Sequence, residues 1–421
     1  MSRRAVITGI GVAAPGSVGR AAYWDMLTAG RTATRRVTLF DPAGFRSQIA
    51  AEVDFDAEAQ GLTAPQIRRM DRAAQFAVVC AREAVADSGL ELETVRPDRI
   101  GVSIGSATGC TIGLETEYRV VSDEGRNWLV DPGYGVPQLY EYMLPSSLAV
   151  EVAWEVAAEG PAAVISTGCT AGMDSVGHGA ALIETGAADV VVAGATDAPI
   201  SRISLAAFDA IKATSPNNDQ PESASRPFDL RRDGFVLAEG AAVLLLEEAE
   251  AAKARGARIY AELLGFATRN NAFHMTGLKP DGREMAEAVR HALDRAKIDP
   301  TEIGYVNAHG SGTKQNDRHE TAAFKTSLGE HAYRIPISSI KSMIGHSLGA
   351  IGSLELAACA LALDRQVVPP TANLEKPDPD LDLDYVPVTA REHRMDVVLS
   401  VGSGFGGFQS AAVLARPGRA S

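Results

Sequence analysis

One cysteine lies where the chemistry of a helix start would activate a thiol. Cys169 follows an apolar run that predicts a buried strand, residues 163–165, and a Ser-Thr-Gly turn. It begins an Ala- and Gly-rich segment that predicts a helix to about residue 186, before a second buried strand at 190–193. Unpaired N–H groups and the helix dipole favour an anion there, which can lower a cysteine pKa from roughly 8.5 to about 7.5 or below. A buried structural cysteine is the alternative, but this placement favours a nucleophile.

Two histidines in glycine-rich stretches could assist this thiol. His309 lies in NAHGSGT and His346 in SIKSMIGHSLGAIGS, at predicted strand ends, where ligands gather in α/β sheets. Lys341, five residues before His346, would add a fixed positive charge. Either histidine could instead be a hydrogen-bonded structural residue, and the lysine could be solvated. Asp317 and Glu320 follow the His309 loop, where a surface helix start is the simpler interpretation.

A serine motif points to a different mechanism. Residues 345–349 spell G-x-S-x-G, the nucleophile elbow of serine hydrolases and acyltransferases, with Ser347 at the centre. The hydrolase order requires an acid and then a histidine downstream, and His393 is the one histidine beyond the motif. The preceding Lys-Ser-Met fits poorly with the strand that an elbow requires. Ser347 is therefore the alternative nucleophile to Cys169.

Composition bounds the class of protein. The 421 residues suffice for one large domain or two fused ones, and 46% hydrophobic residues with 40 glycines indicate a compact α/β protein. A net charge of −13 without a long basic run argues against nucleic-acid partners and against an anionic membrane surface. The four cysteines are widely spaced, and no apolar stretch approaches the roughly 18 residues of a membrane-spanning helix. We expect reduced thiols and a cytoplasmic location.

Two glycine motifs match a dinucleotide fingerprint but lack its context. Residues 9–14 match G-x-G-x-x-A, but Pro15 and Gly16 follow where a helix must begin. The nearest acidic residue after a plausible next strand, Asp41, comes about ten residues too late. Residues 402–407 match G-x-G-x-x-G between two segments that both resemble strands, which predicts a glycine-rich hairpin.

The order of elements repeats along the chain. Residues 73–109 and residues 284–313 share one predicted order of elements: a helix, a proline, Ile-Gly, a strand and a glycine-rich tip. Similar opening strands at 4–10 and 258–266, and closing strands at 241–246 and 411–414, extend the match. The repeat predicts two similar halves, with helices packed on both faces of their sheets.

The predicted halves divide the candidate residues between them. Residues 1–250 form the first half, which contains the nucleophile Cys169. Residues 251–421 form the second half, which contains His309, Lys341 and His346. The join lies near residues 250–256.

Six stretches resemble the β-ketoacyl synthase family: STGCTAGMDSVG, SRPFDLRRDGFVLAEGA, NAHGSGTKQNDRHETAAFK, SIKSMIGHSLGAIGSLELAA, VVPPTANL and VGSGFGGFQSA. The match runs from Arg4 to about Ala415. Three stretches within this match are most similar to the ketosynthase alpha subunit of bacterial type II aromatic polyketide synthases: NDRHETAAFK, AFHMTGLKPDGREMA and DLDYVP. Their chain length factor has glutamine at the nucleophile position, so Cys169 marks a condensing subunit. The resemblance implies a thiolase-like α/β fold, two similar halves in five αβαβα layers.

The resemblance also implies a decarboxylative Claisen condensation. Cys169 would take the growing acyl chain from an acyl carrier protein, and the backbone N–H groups of Cys169 and Phe405 would form the oxyanion hole. His309 and His346, as neutral donors, would stabilise the enolate that remains when malonyl-carrier loses CO₂. Phe405 would also gate the chain tunnel.

Two supporting residues and the cofactor requirement follow from the same resemblance. Lys341 would order the site, and Asp317 would support it. The substrates would arrive on the phosphopantetheine arm of the carrier, and we expect no metal and no redox cofactor.

The implied partners are the acyl carrier protein and a chain length factor, which would complete a heterodimer and set the chain length. The alternative enzyme is the homodimeric fatty-acid chain-elongating 3-oxoacyl-acyl carrier protein synthase II. A scaffold protein without thiol chemistry is a different class, and the intact Cys–His–His set argues against it.

Two surface features of the sequence suit those partners. Arg68, Arg69 and Arg72 could dock an acidic carrier, although a solvated helix start is the simpler interpretation. Segment 108–147 interrupts the repeat with apolar side chains of the kind that fills interface cores: Tyr134, Leu139, Tyr140, Tyr142, Met143 and Leu144.

Overall fold

The computed structural model describes residues 3–127 and 130–418. The strands in chain order are β1 (Ala5–Ala14), β2 (Ser17–Val18), β3 (Thr34–Arg36), β4 (Ile49–Ala51), β5 (Ile100–Gly105), β6 (Ala162–Ile165), β7 (Val190–Asp197), β8 (Leu237–Ala238), β9 (Gly240–Glu248), β10 (Ala261–Asn270), β11 (Tyr305–Asn307), β12 (Ile337–Ser338), β13 (Val367–Val368), β14 (Arg391–Glu392), β15 (Val397–Gly404) and β16 (Phe408–Ala415).

The α-helices alternate with these strands. In chain order they are α1 (Arg20–Thr28), α2 (Ala64–Arg69), α3 (Arg72–Ser88), α4 (Thr111–Val121), α5 (Leu139–Met143), α6 (Ser147–Glu155), α7 (Ala171–Glu184), α8 (Arg202–Ala210), α9 (Ala249–Ala254), α10 (Arg283–Ala296), α11 (Lys314–Leu328), α12 (Lys341–Ile344) and α13 (Ile351–Arg365).

Two equivalent sets of strands form the large sheet. The order is β6-β5-β7-β9-β1 in the first set and β12-β11-β15-β16-β10 in the second. In each set the first three strands are parallel, and the last two are antiparallel to their neighbours. The sets meet where β1 pairs with β10, at Val6–Glu262 and Ile7–Ala261. The predicted repeat of elements is therefore present in the fold, while the division at residues 250 and 251, inside α9, stays a prediction.

Helices occupy three layers around the two sets of strands. Helices α3 and α6 cover the outer face of the first set, and α10, packed against α11, covers the second. Helices α7 and α13 lie between the sets: α7 contacts β5, β7 and β16, and α13 contacts β9 and β15. This arrangement confirms the five-layered αβαβα fold that the sequence predicts.

The two central helices meet near their N-terminal ends. A Cβ on Gly172 of α7 would lie 2.5 Å from the backbone nitrogen of Ser353, and one on Gly352 of α13 would lie 2.6 Å from that of Met173. Adding a methyl group at either glycine would overpack the contact, typically at a cost of about 1–3 kcal/mol. Because α7 begins just after Cys169 and α13 just after His346, this close contact fixes where the two side chains lie.

The N-terminal glycine motif has a packing role. Residues 9–14 lie inside β1, and a Cβ on Gly9 or Gly11 would lie 1.9 Å from a backbone carbonyl oxygen of α3, that of Ala84 or Cys80. These glycines therefore let helix and strand pack closely. The second motif, residues 402–407, forms the predicted hairpin between β15 and β16.

The strand before Cys169 differs from its prediction. Residues 163–165 lie in β6, which is half-exposed rather than buried. The reason is its place in the sheet, since β6 is an edge strand that pairs with β5 on one side.

The four cysteines are free, and in the described ranges no helix combines the length and apolar character needed to cross a bilayer.

Candidate active site

Cys169 lies in a short 3-10 turn, Gly168–Thr170, between β6 and α7. Gly168 adopts φ +60°, a left-handed conformation that glycine reaches without strain. The backbone N–H groups of Phe405 and of Cys169 itself donate toward the Cys169 sulfur. Two backbone donors therefore converge on the point where a thioester on Cys169 would hold its carbonyl oxygen.

The acidity of Cys169 differs from the sequence prediction. Burial raises the pKa of the thiol to about 11, although Lys341 and the backbone N–H of Phe405 both act to lower it. Desolvation of the thiolate therefore outweighs the helix start and the nearby cation. The predicted lowering of the Cys169 pKa to about 7.5 or below is therefore wrong.

His309 follows β11 and is held through its backbone. The Glu320 carboxylate accepts the N–H groups of His309 and Gly310, at 2.5 and 2.8 Å. Lys341 Nζ donates to the His309 carbonyl oxygen and to the Glu355 carboxylate. The imidazole itself is thereby left free to face the cavity beside Cys169.

His346 lies between α12 and α13 and bridges to the short strand β8. Its N–H donates to the carbonyl of Val236 at 2.8 Å, and its carbonyl accepts from Ala238 at 3.0 Å. The His309 and His346 rings meet edge to face, with centroids 5.3 Å apart. Phe235 packs against the His346 ring, with centroids 5.2 Å apart.

Both histidines are neutral at physiological pH. Burial lowers the pKa of His309 well below its ordinary value, and the charge of Lys341 lowers it further. The same two causes lower the pKa of His346. The Nδ1 atoms of both rings are buried, and neither has a hydrogen-bond partner in the part of the chain that the structure describes. A neutral ring with its hydrogen on Nε2 fits this environment, because an imidazolium would bury an unsatisfied N–H.

One cavity of about 510 Å³ brings four of the predicted residues together: Cys169, His309, His346 and Phe405 line it. The exposed side chains of Lys212 and Lys314 also line this cavity. The predicted residues Lys341 and Asp317 are buried outside the lining.

The glycine-rich hairpin delivers Phe405 to the cavity. A Cβ on Gly404 would lie 3.3 Å from the Cys169 nitrogen and 3.2 Å from the Thr167 carbonyl oxygen. The hairpin can approach the nucleophile turn this closely because Gly404 has no side chain. Phe405 remains 38% exposed, more than a packed core side chain would be.

Asp317 and Glu320 are buried rather than on a surface helix start. Asp317 accepts the N–H groups of Phe228, at 2.8 Å, and Gly312, and it pairs with buried Arg232. It therefore ties the segment before β8 to the loop that follows His309. Helix α11 places both acids inward, whereas the charged stretch NDRHE predicted an exposed helix start.

Three acids support the site through contacts that their sequence motifs do not indicate. Glu355 pairs with Lys341, and burial raises the pKa of Glu355 to about 7. Asp197 accepts N–H groups from Ala107, at 2.9 Å, and Gly349, at 2.7 Å, among other donors. Asp174 accepts hydroxyl groups on either side of Cys169. The partners of Asp174 and Asp197 are up to 236 and 152 residues away in sequence, so no local pattern reveals these contacts.

The serine alternative lacks the geometry of a nucleophile elbow. Ser347 follows helix α12 instead of a strand, and its hydroxyl is buried without a hydrogen-bond partner among the described residues. His393 lies beside β14, where its N–H donates to the Gln366 carbonyl. Nothing in these contacts activates the Ser347 hydroxyl.

The predicted arginine cluster is divided by ion pairs. Arg72 bonds Glu239 and Arg69 bonds Glu151, whereas Arg68 is exposed. Two of the three positive charges are thus partly neutralised within the chain.

Comparison with known proteins gives the family. The model of the β-ketoacyl synthase N-terminal domain matches residues 2–252, and that of the C-terminal domain matches residues 260–375. The chain is 68% identical to the tetracenomycin polyketide synthase ketoacyl synthase alpha subunit of Streptomyces glaucescens, covering 99% of this chain and 97% of that protein. It is 42% identical to 3-oxoacyl-[acyl-carrier-protein] synthase 2 of Coxiella burnetii, covering 98% and 99%.

Solved structures agree with these relatives. A type II polyketide synthase acyl-carrier protein in complex with its ketosynthase bound to the hexaketide contains a chain with a TM-score of 0.92 and 38% identity, covering 99% of each chain. The ishigamide ketosynthase/chain length factor matches with a TM-score of 0.91 and 35% identity, covering 99% of this chain and 100% of that one.

The chain belongs to the β-ketoacyl synthase family. Within the family it is similar throughout its length to the ketosynthase alpha subunits of type II polyketide synthases, as the sequence motifs predict. It is a condensing acyltransferase with a thiolase-like fold.

Alkylation of the cysteines tests both the site and its acidity. Iodoacetamide should label Cys169 first, because it lines the cavity, whereas burial raises the pKa of Cys110 to about 12 and also raises the pKa values of Cys80 and Cys359. Below the Cys169 pKa of about 11, the labelling rate should rise about tenfold per pH unit with the thiolate fraction. Peptide mapping across about pH 7 to about pH 9 measures this.

Two outcomes would contradict the assignment. A labelling rate that levels off near neutral pH would restore the low pKa predicted from the helix start. Loss of activity on modification of Cys110, with Cys169 unmodified, would remove Cys169 as the nucleophile.

Proposed function

We propose that the chain extends a polyketide by decarboxylative Claisen condensation, with Cys169 holding the growing acyl chain and malonyl-acyl carrier protein supplying two carbons. The observation on which this depends is the cavity that Cys169, His309, His346 and Phe405 share. We propose that it acts as the condensing subunit of a type II synthase that makes an aromatic polyketide, in the cytoplasm, where its free cysteines stay reduced.

In the first step the acyl chain moves from carrier to enzyme. Cys169 sulfur attacks the carbonyl carbon of the acyl-phosphopantetheine thioester, and the backbone N–H groups of Cys169 and Phe405 bind the oxyanion. The new bond joins Cys169 sulfur to the acyl carbon, and the bond to the phosphopantetheine sulfur breaks. The Cys169 proton ends on the departing thiol. Because the free thiol is weakly acidic, this proton transfer contributes to the barrier.

In the second step malonyl-carrier loses CO₂. The electron pair of the broken C–C bond enters the thioester as an enolate, whose oxygen accepts hydrogen bonds from neutral His309 and His346. The enolate carbon then attacks the Cys169 thioester and expels the Cys169 thiolate, which leaves a carrier-bound chain longer by two carbons. The thiolate takes up a proton from water and regains the free thiol. This reaction balances without a metal or a redox cofactor.

The buried residues act through these groups. Lys341, fixed by Glu355, donates to the His309 carbonyl, and its charge adds to the burial that lowers the pKa of both rings. Asp317 holds the loop after His309 against the segment that contains Arg232. Neither residue touches the cavity, and we assign both as positioning residues.

The fatty-acid alternative uses the same chemistry. The fatty-acid synthase relative is 42% identical to this chain, against 68% for the polyketide alpha subunit, which favours polyketide extension. Mass spectrometry of the product decides between them, because an unreduced poly-β-ketone is expected from the polyketide pathway.

An acyl carrier protein is the proposed donor of both substrates. Lys212 and Lys314 line the cavity and are exposed, so they offer positive charge to the phosphate of a phosphopantetheine arm. Arg68 adds an exposed positive charge for an acidic carrier. One similar structure is itself of a type II acyl-carrier protein with its ketosynthase, which supports this partner.

A homologous chain length factor is the proposed second partner. Strand β6 is an edge strand with half-exposed residues, and such edges are normally covered. Segment 108–147 exposes apolar side chains, with Tyr134 at 67% and Tyr140 at 71%. A surface of this kind suits a stable protein partner. The similar ketosynthase/chain length factor structure supports a heterodimer.

The histidine and cysteine functions can be separated. Cys169→Gln should still release CO₂ from malonyl-carrier, because decarboxylation needs enolate stabilisation but no acyl acceptor. His309→Ala and His346→Ala should lower CO₂ release by roughly 10²–10³-fold, the usual loss for one oxyanion donor. Ser347→Ala is the control and should retain acyl transfer.

Radiolabelled CO₂ release measures these rates. Unchanged release in both histidine variants would remove them from the mechanism, and a folded but inactive Ser347→Ala enzyme would revive the serine alternative.

Co-expression tests the heterodimer. The chain alone should be unstable, self-associated or poorly active, whereas with the partner it should elute as a 1:1 complex that makes unreduced poly-β-ketone. Tyr140→Asp should weaken the complex, and Val388→Asn, at a site 50% exposed outside segment 108–147, should not. If the chain alone made full-length polyketide at the same rate as the mixture, the heterodimer hypothesis would be rejected. A homodimer of the fatty-acid synthase type would then be the better interpretation.

A further inference from the structure

A buried carboxylate braces the turn that contains the nucleophile. Asp174 lies in the first turn of α7, is 8% exposed and does not line the cavity of Cys169. Its Oδ2 accepts the hydroxyl groups of Thr167, at 2.5 Å, and Thr170, at 2.9 Å. Its Oδ1 accepts the hydroxyl of Ser410 on β16, at 2.5 Å. One side chain thus joins both sides of the Cys169 turn to a strand of the second half.

The turn has few restraints of its own. The Thr170 N–H reaches the Thr167 carbonyl at 3.4 Å, which is long for a hydrogen bond, and the Thr170 hydroxyl, which donates to Asp174, also lies 3.0 Å from that carbonyl. The N–H of Cys169 points at its own sulfur, so it is used by the site and not by the turn. Gly168, in a left-handed conformation, adds freedom. The Asp174 carboxylate therefore supplies the side-chain contacts that orient residues on both sides of Cys169.

The supports of the histidines are separate from Asp174. Glu320 and Lys341 hold the backbone of His309. Val236 and Ala238 hold the backbone of His346. Loss of the Asp174 contacts should therefore move the sulfur and N–H of Cys169 while leaving the two imidazoles in place.

We propose that Asp174 is a positioning residue that fixes Cys169 for acyl transfer and has no part in decarboxylation. The proposal rests on the proposed function, in which Cys169 accepts the acyl chain and the histidines stabilise the enolate. Asp174 would act by keeping the Cys169 N–H directed at the thioester oxygen and the sulfur in line with the incoming carbonyl. A displacement of this kind can cost on the order of 10²-fold in rate.

The test compares two rates in the same variants, using the chain with the partner subunit with which it is purified. Asp174→Ala and Asp174→Asn should slow acylation of Cys169 by acyl-carrier by about 10- to 100-fold, with little change in the apparent affinity for the carrier. Placed in the Cys169→Gln background, Asp174→Ala should leave CO₂ release from malonyl-carrier at the rate of Cys169→Gln alone.

Matched threonine variants keep the test decisive if Asp174→Ala does not fold. Thr170→Val keeps the shape of the side chain but removes its hydroxyl, and it should slow acylation. Thr170→Ser keeps the hydroxyl and should restore acylation. Ser410→Ala removes the contact on the far side of the carboxylate, so its effect should be smaller than that of Thr170→Val.

The outcomes separate this proposal from the one it rests on. Equal losses of acylation and CO₂ release in folded Asp174 or Thr170→Val variants would show a general structural role and overturn the proposal. Unchanged acylation would also overturn it. Absence of CO₂ release from Cys169→Gln itself, with no acylation of the unaltered chain, would instead reject the proposed function.

Discussion

The close contact of the two central helices is the constraint on which the site depends. Helix α7 follows the nucleophile turn and α13 follows the His346 turn, and Gly172 and Gly352 let them touch backbone to backbone. These helices come from different halves of the chain, so neither half contains the site alone. The internal repeat places two equivalent helix starts face to face, and the chain has a cysteine at one and a histidine at the other.

Buried charge then sets the chemistry of that shared cavity. Lys341 and Glu355 form an ion pair that is almost wholly buried, and such pairs are costly to break, by about 3–5 kcal/mol when one partner is removed. The pair lies near two imidazoles whose pKa values are lowered by burial and, further, by the charge of Lys341. The histidines are thereby hydrogen-bond donors instead of bases. The same burial raises the pKa of Cys169, so the site stabilises oxyanions better than a free thiolate.

Short sequence patterns correctly predicted the features that depend on neighbouring residues. The repeat of strands, the glycine-rich hairpin and the cavity position of Cys169, His309, His346 and Phe405 all follow from short motifs. Whether a strand lies at the edge or in the centre of a sheet depends on the whole sheet and not on the strand's own residues. For this reason the apolar run predicted a buried strand, whereas β6 is half-exposed.

The errors at the site have the same origin. The sequence shows that Cys169 precedes a helix, but it does not show how far burial removes water from the thiolate. The pKa of Cys169 was therefore predicted to be lowered, whereas burial raises it. Asp174 and Asp197 gather donors from remote segments, and Glu320 faces inward from a stretch that resembles a surface helix. No motif within any one segment indicates such contacts.

Nitrogen-15 NMR of labelled histidines tests the central claim, that burial, reinforced by a buried cation, keeps both catalytic imidazoles neutral. Signals of His309 and His346, assigned by their loss in single variants, should report a neutral ring with hydrogen on Nε2 from about pH 6 to about pH 8. Both signals should remain unchanged across that range. Titration of either ring near the ordinary pKa of about 6.5 would contradict the account.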